Sequence, residues 1–170
     1  MKRQVKGALL AAGIALAISV ATALPAAAAT SGSETFSGTI VTSGVSGTRT
    51  VITTVLIASG VFSGVGRIVE IPGQGNQDDL VFPEGTMRIV TTPTGGSFSI
   101  NPTSCVATVT TTSTSQITGG TGQFTNASGS FTGTDTGRGV AARNPDGSCS
   151  ITQAPLHEVE MLTSTGTLSF

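Results

Sequence analysis

Segments that favour β-strands recur along the chain from residue 34 to residue 170, separated by clusters of Gly, Pro, Asn and Asp. No window repeats apolar residues at the spacing of 3.6 that marks a helix. The nine predicted strands are residues 34–43, 48–59, 61–71, 85–92, 97–100, 105–118, 129–143, 149–152 and 158–170, with turns predicted at residues 72–79, 94–96 and 144–147. This density is typical of an all-β sandwich or barrel, and any helix should be a single turn.

Side chains alternate along two of these strands as they do in a half-buried sheet. Thr occupies the even positions from Thr108 to Thr114, while Cys, Ala and Val occupy the odd positions from Cys105 to Val109. Glycines repeated at every second residue permit sharp bends and close packing, which favours a tight barrel. They share a face with a phenylalanine in two strands: Gly64 and Gly66 with Phe62, and Gly133, Gly137 and Gly139 with Phe131.

The beginning of the chain has the three-part order of a secretory signal peptide. Lys2, Arg3 and Lys6 precede an uncharged apolar stretch of 16 residues, which a run of alanines follows. We therefore predict that residues 1–29 are removed and that residues 30–170 form one β-barrel domain.

Export places the mature protein outside the cytoplasm, either secreted or held in the cell envelope. An uncleaved membrane anchor is the alternative, but the apolar stretch is shorter than the ~20 residues that cross a bilayer. No second stretch of that length occurs, so stable membrane insertion after cleavage is not expected. In an oxidising compartment, Cys105 and Cys149 are predicted to form one disulfide. The alternative is a nucleophilic cysteine assisted by His157, the single histidine.

Composition excludes several classes of partner and cofactor. Residues 30–170 contain no Lys, and five Arg against nine Asp and Glu give a formal net charge of −4. Nucleic-acid binding needs clustered positive charge, so no nucleic-acid partner is expected. With one His, two Cys and neither Trp nor Tyr, the sequence predicts no metal site and no cofactor. Calcium at Asn76, Asp78 and Asp79, with Glu84 as a further oxygen ligand, is the open alternative, although these residues lack the EF-hand pattern.

One segment resembles a known family. The sequence Gly-Gly-Thr-Gly-Gln-Phe-Thr-Asn-Ala-Ser-Gly at residues 119–129 is similar to the Gly-Gly-Thr-Gly-x-Phe-x-x-Ala-x-Gly signature of the allene oxide cyclase and dirigent barrels. The chain also resembles small exported proteins of actinobacteria. The signature residues are Gly119, Gly120, Thr121, Gly122, Phe124, Ala127 and Gly129.

The resemblance implies a single antiparallel barrel of about eight strands, in which the signature joins two neighbouring strands. Its glycines adopt positive φ in the turn, Phe124 plugs the end of the barrel, and Ala127 and Gly129 let the next strand pass closely. Related barrels bind apolar or aromatic small molecules inside, and they often form dimers or trimers. A homo-oligomer and a small apolar ligand are therefore the partners that the resemblance implies.

Three charged residues within predicted strands are candidates for the pocket: Arg67, Glu70 and Arg88. Arg67 shares a face with Val65 and Val69, so it enters the barrel if that apolar set faces inward, where it can orient a carbonyl or carboxylate. The alternative is an arginine at the barrel rim, paired with an acid such as Glu70.

Other charged residues that are close in the sequence are expected on opposite faces of their strands. Asp135 and Arg138 should lie on opposite faces, and Glu158 and Glu160 should lie on the face opposite His157. No set of catalytic residues is identified from the sequence.

The sequence therefore predicts a secreted, disulfide-bonded β-barrel that binds a small apolar molecule without catalysis. One alternative is an isomerase or cyclase of the allene oxide cyclase or dirigent type, with Arg67, Glu70 or Arg88 converging in a pocket. The other is a structural protein of the cell envelope without a ligand, which the Thr-rich faces favour.

Overall fold

The computed structural model describes residues 30–45 and 48–170, so the predicted signal peptide, residues 1–29, lies outside the described residues. Eight antiparallel strands form a closed barrel in which each strand pairs with the next and the last pairs with the first. The strands are β1 (Ser31–Val45), β2 (Thr48–Gly60), β3 (Gly64–Glu70), β4 (Gln77–Phe82), β5 (Gly85–Ile100), β6 (Val106–Gly120), β7 (Ser128–Val140) and β8 (His157–Ser169). The predicted all-β antiparallel barrel is confirmed.

The predicted strands differ from these eight at three places. Residues 85–92 and 97–100 belong to one strand, β5, and the predicted turn at residues 94–96 is wrong because a register shift between Pro93 and Gly95 absorbs the turn-forming residues. β4 was not predicted because it begins within a run of turn formers. The segment 149–152 is not a strand, and only Cys149 forms an isolated bridge there.

One end of the barrel is closed by packed phenylalanines. Phe62 and Phe124 come from strand connections, Phe82 is the last residue of β4, and Phe170 follows β8; the ring centroids of the contacting pairs lie 5.0 to 6.3 Å apart. Phe62 is fixed further because its backbone N–H donates a hydrogen bond of 2.8 Å to the buried carboxylate of Glu34. We call this end, where the β2–β3, β4–β5 and β6–β7 connections meet, the closed end.

Glycines make room for these rings, as the sequence pattern indicates. A Cβ added at Gly64 would lie 2.7 Å from the ring of Phe62, and one at Gly66 would lie 2.7 Å from the ring of Phe82. Neither ring can take its place beside a larger side chain. The inward face of β3 is therefore the face of its glycines.

The segment 119–129 joins β6 to β7 through a single 3₁₀ turn, Gly122–Phe124. Gly119 has a φ of +134° and Gly122 a φ of +59°, conformations that favour glycine. Phe124 is 0% exposed, and a Cβ added at Gly129 would collide with the carbonyl of Thr167 on β8. The segment is therefore a tight connection between two neighbouring strands, with Phe124 buried in the core.

The opposite end, which we call the open end, is cross-linked by the predicted disulfide. Cys105 and Cys149 are bonded and join the β5–β6 connection to residues 141–156 between β7 and β8. Arg143 reinforces this link by donating hydrogen bonds to the carbonyls of Thr103, at 2.5 Å, and Gly147, at 2.7 Å. The predicted turn at residues 144–147 is present. Within the described part of the chain, no helix is long and apolar enough to cross a membrane.

Candidate functional site

The open end leads into a cavity of about 830 Å³ inside the barrel. Its mouth lies beside the β3–β4 loop, and its floor lies above the packed phenylalanines. Its floor is apolar, because the inward positions next to the closed end carry large apolar side chains from β1 to β5 and from β8. These residues are Phe36, Ile40, Leu56, Ile68, Leu80, Ile89 and Leu162.

Hydroxyl groups line the wall above the apolar floor. They come from the inward face of β5, β6 and β8: Thr91, Thr111, Ser113, Ser115 and Ser164. Thr91 and Ser115 share a hydrogen bond of 3.0 Å. Ser113 is 7% exposed, and its hydroxyl forms no hydrogen bond with the side chains that the structure describes. This part of the wall can therefore donate to or accept from a molecule in the cavity.

Four carboxylates and one guanidinium surround the cavity nearer its mouth. We call the carboxylates of Glu70, Asp78, Asp135 and Glu160 the acidic ring; they come from β3, β4, β7 and β8. Arg49 on β2 pairs with Glu70, and its Nη2 lies 3.4 Å from Oε2 of Glu160. The ring therefore has a net negative charge.

Burial in the barrel wall changes the ionisation of this ring. Burial, followed by the charge of Glu70, raises the pKa of Asp78 to about 6, although Arg49 opposes the change. Burial also raises the pKa of Asp135, and burial with the charge of Glu158 raises the pKa of Glu160. Burial alone would lower the pKa of Arg49, but its hydrogen bond to Glu70 and the nearby negative charges raise it.

The structure places one of the three predicted pocket residues in the cavity. Glu70 lines it, as expected, but the prediction that Arg67 enters the barrel is wrong. Arg67 lies on the outer face beside Val65, which is 65% exposed, because the inward positions of β3 are taken by Gly66 and Ile68. The alternative pairing of Arg67 with Glu70 is not formed either, since Glu70 binds Arg49.

Arg88 lies on the outer face of the barrel and does not line this cavity; it borders a separate pocket of about 350 Å³ together with Asp79 and Thr121. Its neighbours Met87 and Ile89 are buried in the core, which turns Arg88 outward. Its Nε and Nη2 donate hydrogen bonds of 2.9 and 3.1 Å to the carboxylate of Asp79. Asp78 and Asp79 therefore point to opposite faces of β4, which separates two of the residues considered for calcium.

Arg49, Asp135 and Glu160 were not predicted as site residues, and Asp78 was considered only as a calcium ligand. The strand pattern of the sequence indicated the inward position of Asp135 and Glu160. Asp135 shares its strand face with Phe131, and Glu160 lies on the face opposite the exposed His157, as their spacing indicates. Arg49 gave no such signal, because a register shift in the β1–β2 pair changes the alternation of β2 between Val51 and Thr53.

Replacing Asp78 with Asn should stabilise the fold near neutral pH. The pKa of Asp78 in the folded state, about 6, lies above its ordinary value of 3.8, so the folded state binds more protons than the unfolded state. Stability therefore falls as the pH rises from about 4 to about 7. We expect Asp78→Asn to add about 1 kcal/mol at about pH 7, after allowance for solvent screening, and to flatten this pH dependence.

The measurement is urea unfolding at about pH 4.5 and about pH 7. Asp79→Asn, which removes the same charge from the outer face of β4, is the matched control and should retain most of the pH dependence, because Asp79 contributes less than burial and Glu70 to the raised pKa of Asp78. A loss of stability at about pH 7 in Asp78→Asn would contradict the prediction, since it would mean that the ionised carboxylate stabilises the fold.

The fold and the cavity define a class of protein: an eight-stranded antiparallel barrel with one closed end and one open, acidic end. Comparison with models of protein families, with curated proteins and with solved structures finds no match to the chain. Among residues 30–45 and 48–170, no group of three or more His, Cys, Asp and Glu side chains is placed to hold a metal ion.

Proposed function

We propose that the chain is an exported, non-enzymatic binding protein of the allene oxide cyclase and dirigent type, which holds a small molecule with an apolar body inside its barrel. The observation that carries this proposal is the cavity of about 830 Å³ with its apolar floor. Sites for small molecules commonly measure roughly 300–1,000 Å³ and combine apolar walls with a few polar groups. The hydroxyl-bearing side chains above the floor supply those polar groups.

The two ends of the barrel support a single entrance. The packed phenylalanines block access from the closed end, so a ligand enters past the β3–β4 loop. At the open end, the disulfide and the hydrogen bonds of Arg143 fix the connections around the rim. A structural disulfide is also typical of exported proteins, which supports the location predicted from residues 1–29.

Narrowing the cavity should weaken binding without changing the outer surface. We expect Ser113→Leu to weaken binding of the neutral fluorescent probe N-phenyl-1-naphthylamine by tenfold or more, about 1.4 kcal/mol, because the larger side chain occupies the cavity wall. Thr114→Leu places the same side chain on the exposed face of β6 and is the matched control. Equal binding by both variants, or no binding by the unmodified protein, would contradict the proposal.

The natural ligand can be sought by native mass spectrometry of the protein secreted by its own host, recorded without reductant. A retained small-molecule mass, absent from Ser113→Leu, would support the proposal and yield the compound. The same spectrum reports the predicted cleavage site and the number of subunits. A ligand-free spectrum together with failure to bind the neutral probe would overturn it.

One observation favours a second candidate, an isomerase or cyclase in the same barrel. Asp78 lines the cavity with a pKa of about 6, and a carboxyl group in that range can exchange a proton with a bound substrate near neutral pH. If this candidate is correct, Asp78→Asn should abolish turnover of the ligand found in the host protein while leaving probe binding intact. Unchanged turnover in that variant would exclude Asp78 as the acid or base.

A further inference from the structure

The acidic ring contains more negative charge than the protein neutralises. Arg49 is already shared between Glu70 and Glu160. Among the described residues, Asp78 and Asp135 have no ion pair, although both line the cavity. A cationic ligand in the cavity would therefore find two carboxylates that form no ion pair with a described residue.

These two carboxylates line the same cavity from different parts of its wall. Asp78 lies on β4 and Asp135 on β7, strands that are separated by β5 and β6 in the barrel. The charge of Asp135 nevertheless acts on Asp78, and both groups are partly removed from water. Like charges that share a partly desolvated cavity repel one another, and a cation bound in that cavity relieves the repulsion.

A second, independent feature of the same cavity points to a hydrogen-bonding ligand. Ser113, on β6, is 7% exposed and lines the cavity, and its hydroxyl, which is open to the cavity, forms no hydrogen bond with the described side chains. β6 pairs with β7, and Ser113 lies opposite Gly133, two residues before Asp135. A ligand whose donor group binds near Asp135 can therefore also donate a hydrogen bond to the hydroxyl of Ser113. The apolar floor of the cavity lies beneath these two side chains.

From these features we propose that the ligand of this barrel is an amphiphilic cation: a protonated amine on an apolar body, with its ammonium group between Asp78 and Asp135 and its apolar part on the cavity floor. This inference rests on the proposed binding function and gives it a ligand class. The apolar floor favours an organic cation over a metal ion, which would gain nothing from Phe36, Ile40 and their neighbours.

Three probes of equal tail length test the charge preference: decylamine, decanol and decanoate, each below its micelle-forming concentration. Each is used to displace N-phenyl-1-naphthylamine near neutral pH and at low salt. We expect decylamine to bind about tenfold or more tightly than decanol, and decanoate to bind most weakly, because the carboxylates attract the ammonium and repel the carboxylate. Added salt should weaken decylamine binding and leave decanol binding unchanged.

Double variants test whether the preference for decylamine depends on the acidic ring. Asp78→Asn with Asp135→Asn should bring the affinity for decylamine down to that for decanol, without altering decanol binding. Asp79→Asn with Asp146→Asn removes the same net charge from exposed or outward positions and should preserve the preference.

The outcomes separate the two proposals. Equal, salt-independent binding of decylamine and decanol by the unmodified protein would overturn the cation proposal and leave the binding function standing. Failure of every probe, including N-phenyl-1-naphthylamine, would overturn both. The salt dependence needs no variant, so the test remains decisive even if the doubly substituted ring does not fold.

Discussion

Replacing Phe124 with Ala should lower the free energy of unfolding by about 3–5 kcal/mol. Phe124 is 0% exposed, and its ring centroid lies 5.0 Å from that of Phe62, 6.1 Å from that of Phe82 and 5.3 Å from that of Phe170. These rings come from segments that are distant in the chain and are held by different strands, so none can move far to fill the space. The variant therefore loses both the buried ring and the contacts around it.

The control for this prediction is Phe98→Ala, the same substitution at a ring that is 58% exposed on β5. It should cost less than about 1 kcal/mol, because little apolar area is buried there. Urea unfolding followed by circular dichroism measures both variants. Similar losses at the two positions would show that the closed end is not a packed core.

Local patterns in the sequence predicted much of the barrel wall. The alternation along β6 and β7 is confirmed, with Ser113, Ser115 and Phe131 buried and Thr112 and Thr114 exposed. Inward-facing and outward-facing residues alternate along these strands without interruption, so the pattern can be recognised in the sequence before the partner strands are known. The disulfide was also predictable, since the chain has two cysteines and each has one possible partner.

The site was harder to predict because it depends on how the barrel closes. Arg49 and Glu160 are 111 residues apart and meet only because β8 pairs with β1, which in turn pairs with β2. Valines on the outer face of β3 look like core residues in the sequence, which led to the wrong position for Arg67. Packing at the closed end determines which face of β3 points inward. The phenylalanine rings fit only beside the glycines of β3, so the valines lie on the outer surface.

Breaking the disulfide should be the other large loss of stability. The bonded cysteines are 44 residues apart, and closing a loop of about 45 residues removes chain entropy worth roughly 4 kcal/mol from the unfolded state. We expect Cys149→Ala, and reduction of the unmodified protein, to lower the free energy of unfolding by up to about this amount. Urea unfolding with and without reductant provides the measurement.

The single-cysteine variants separate the cross-link from side-chain packing. Cys105 is 1% exposed whereas Cys149 is partly exposed, so Cys105→Ala should lose the cross-link and some packing, and Cys149→Ala mainly the cross-link. Arg143 bonded to the carbonyl of Thr103, and Ala141 bonded to the carbonyl of Cys105, join the same two segments without the disulfide. A loss well below about 1 kcal/mol in Cys149→Ala would contradict the prediction and assign the stability of the rim to these hydrogen bonds.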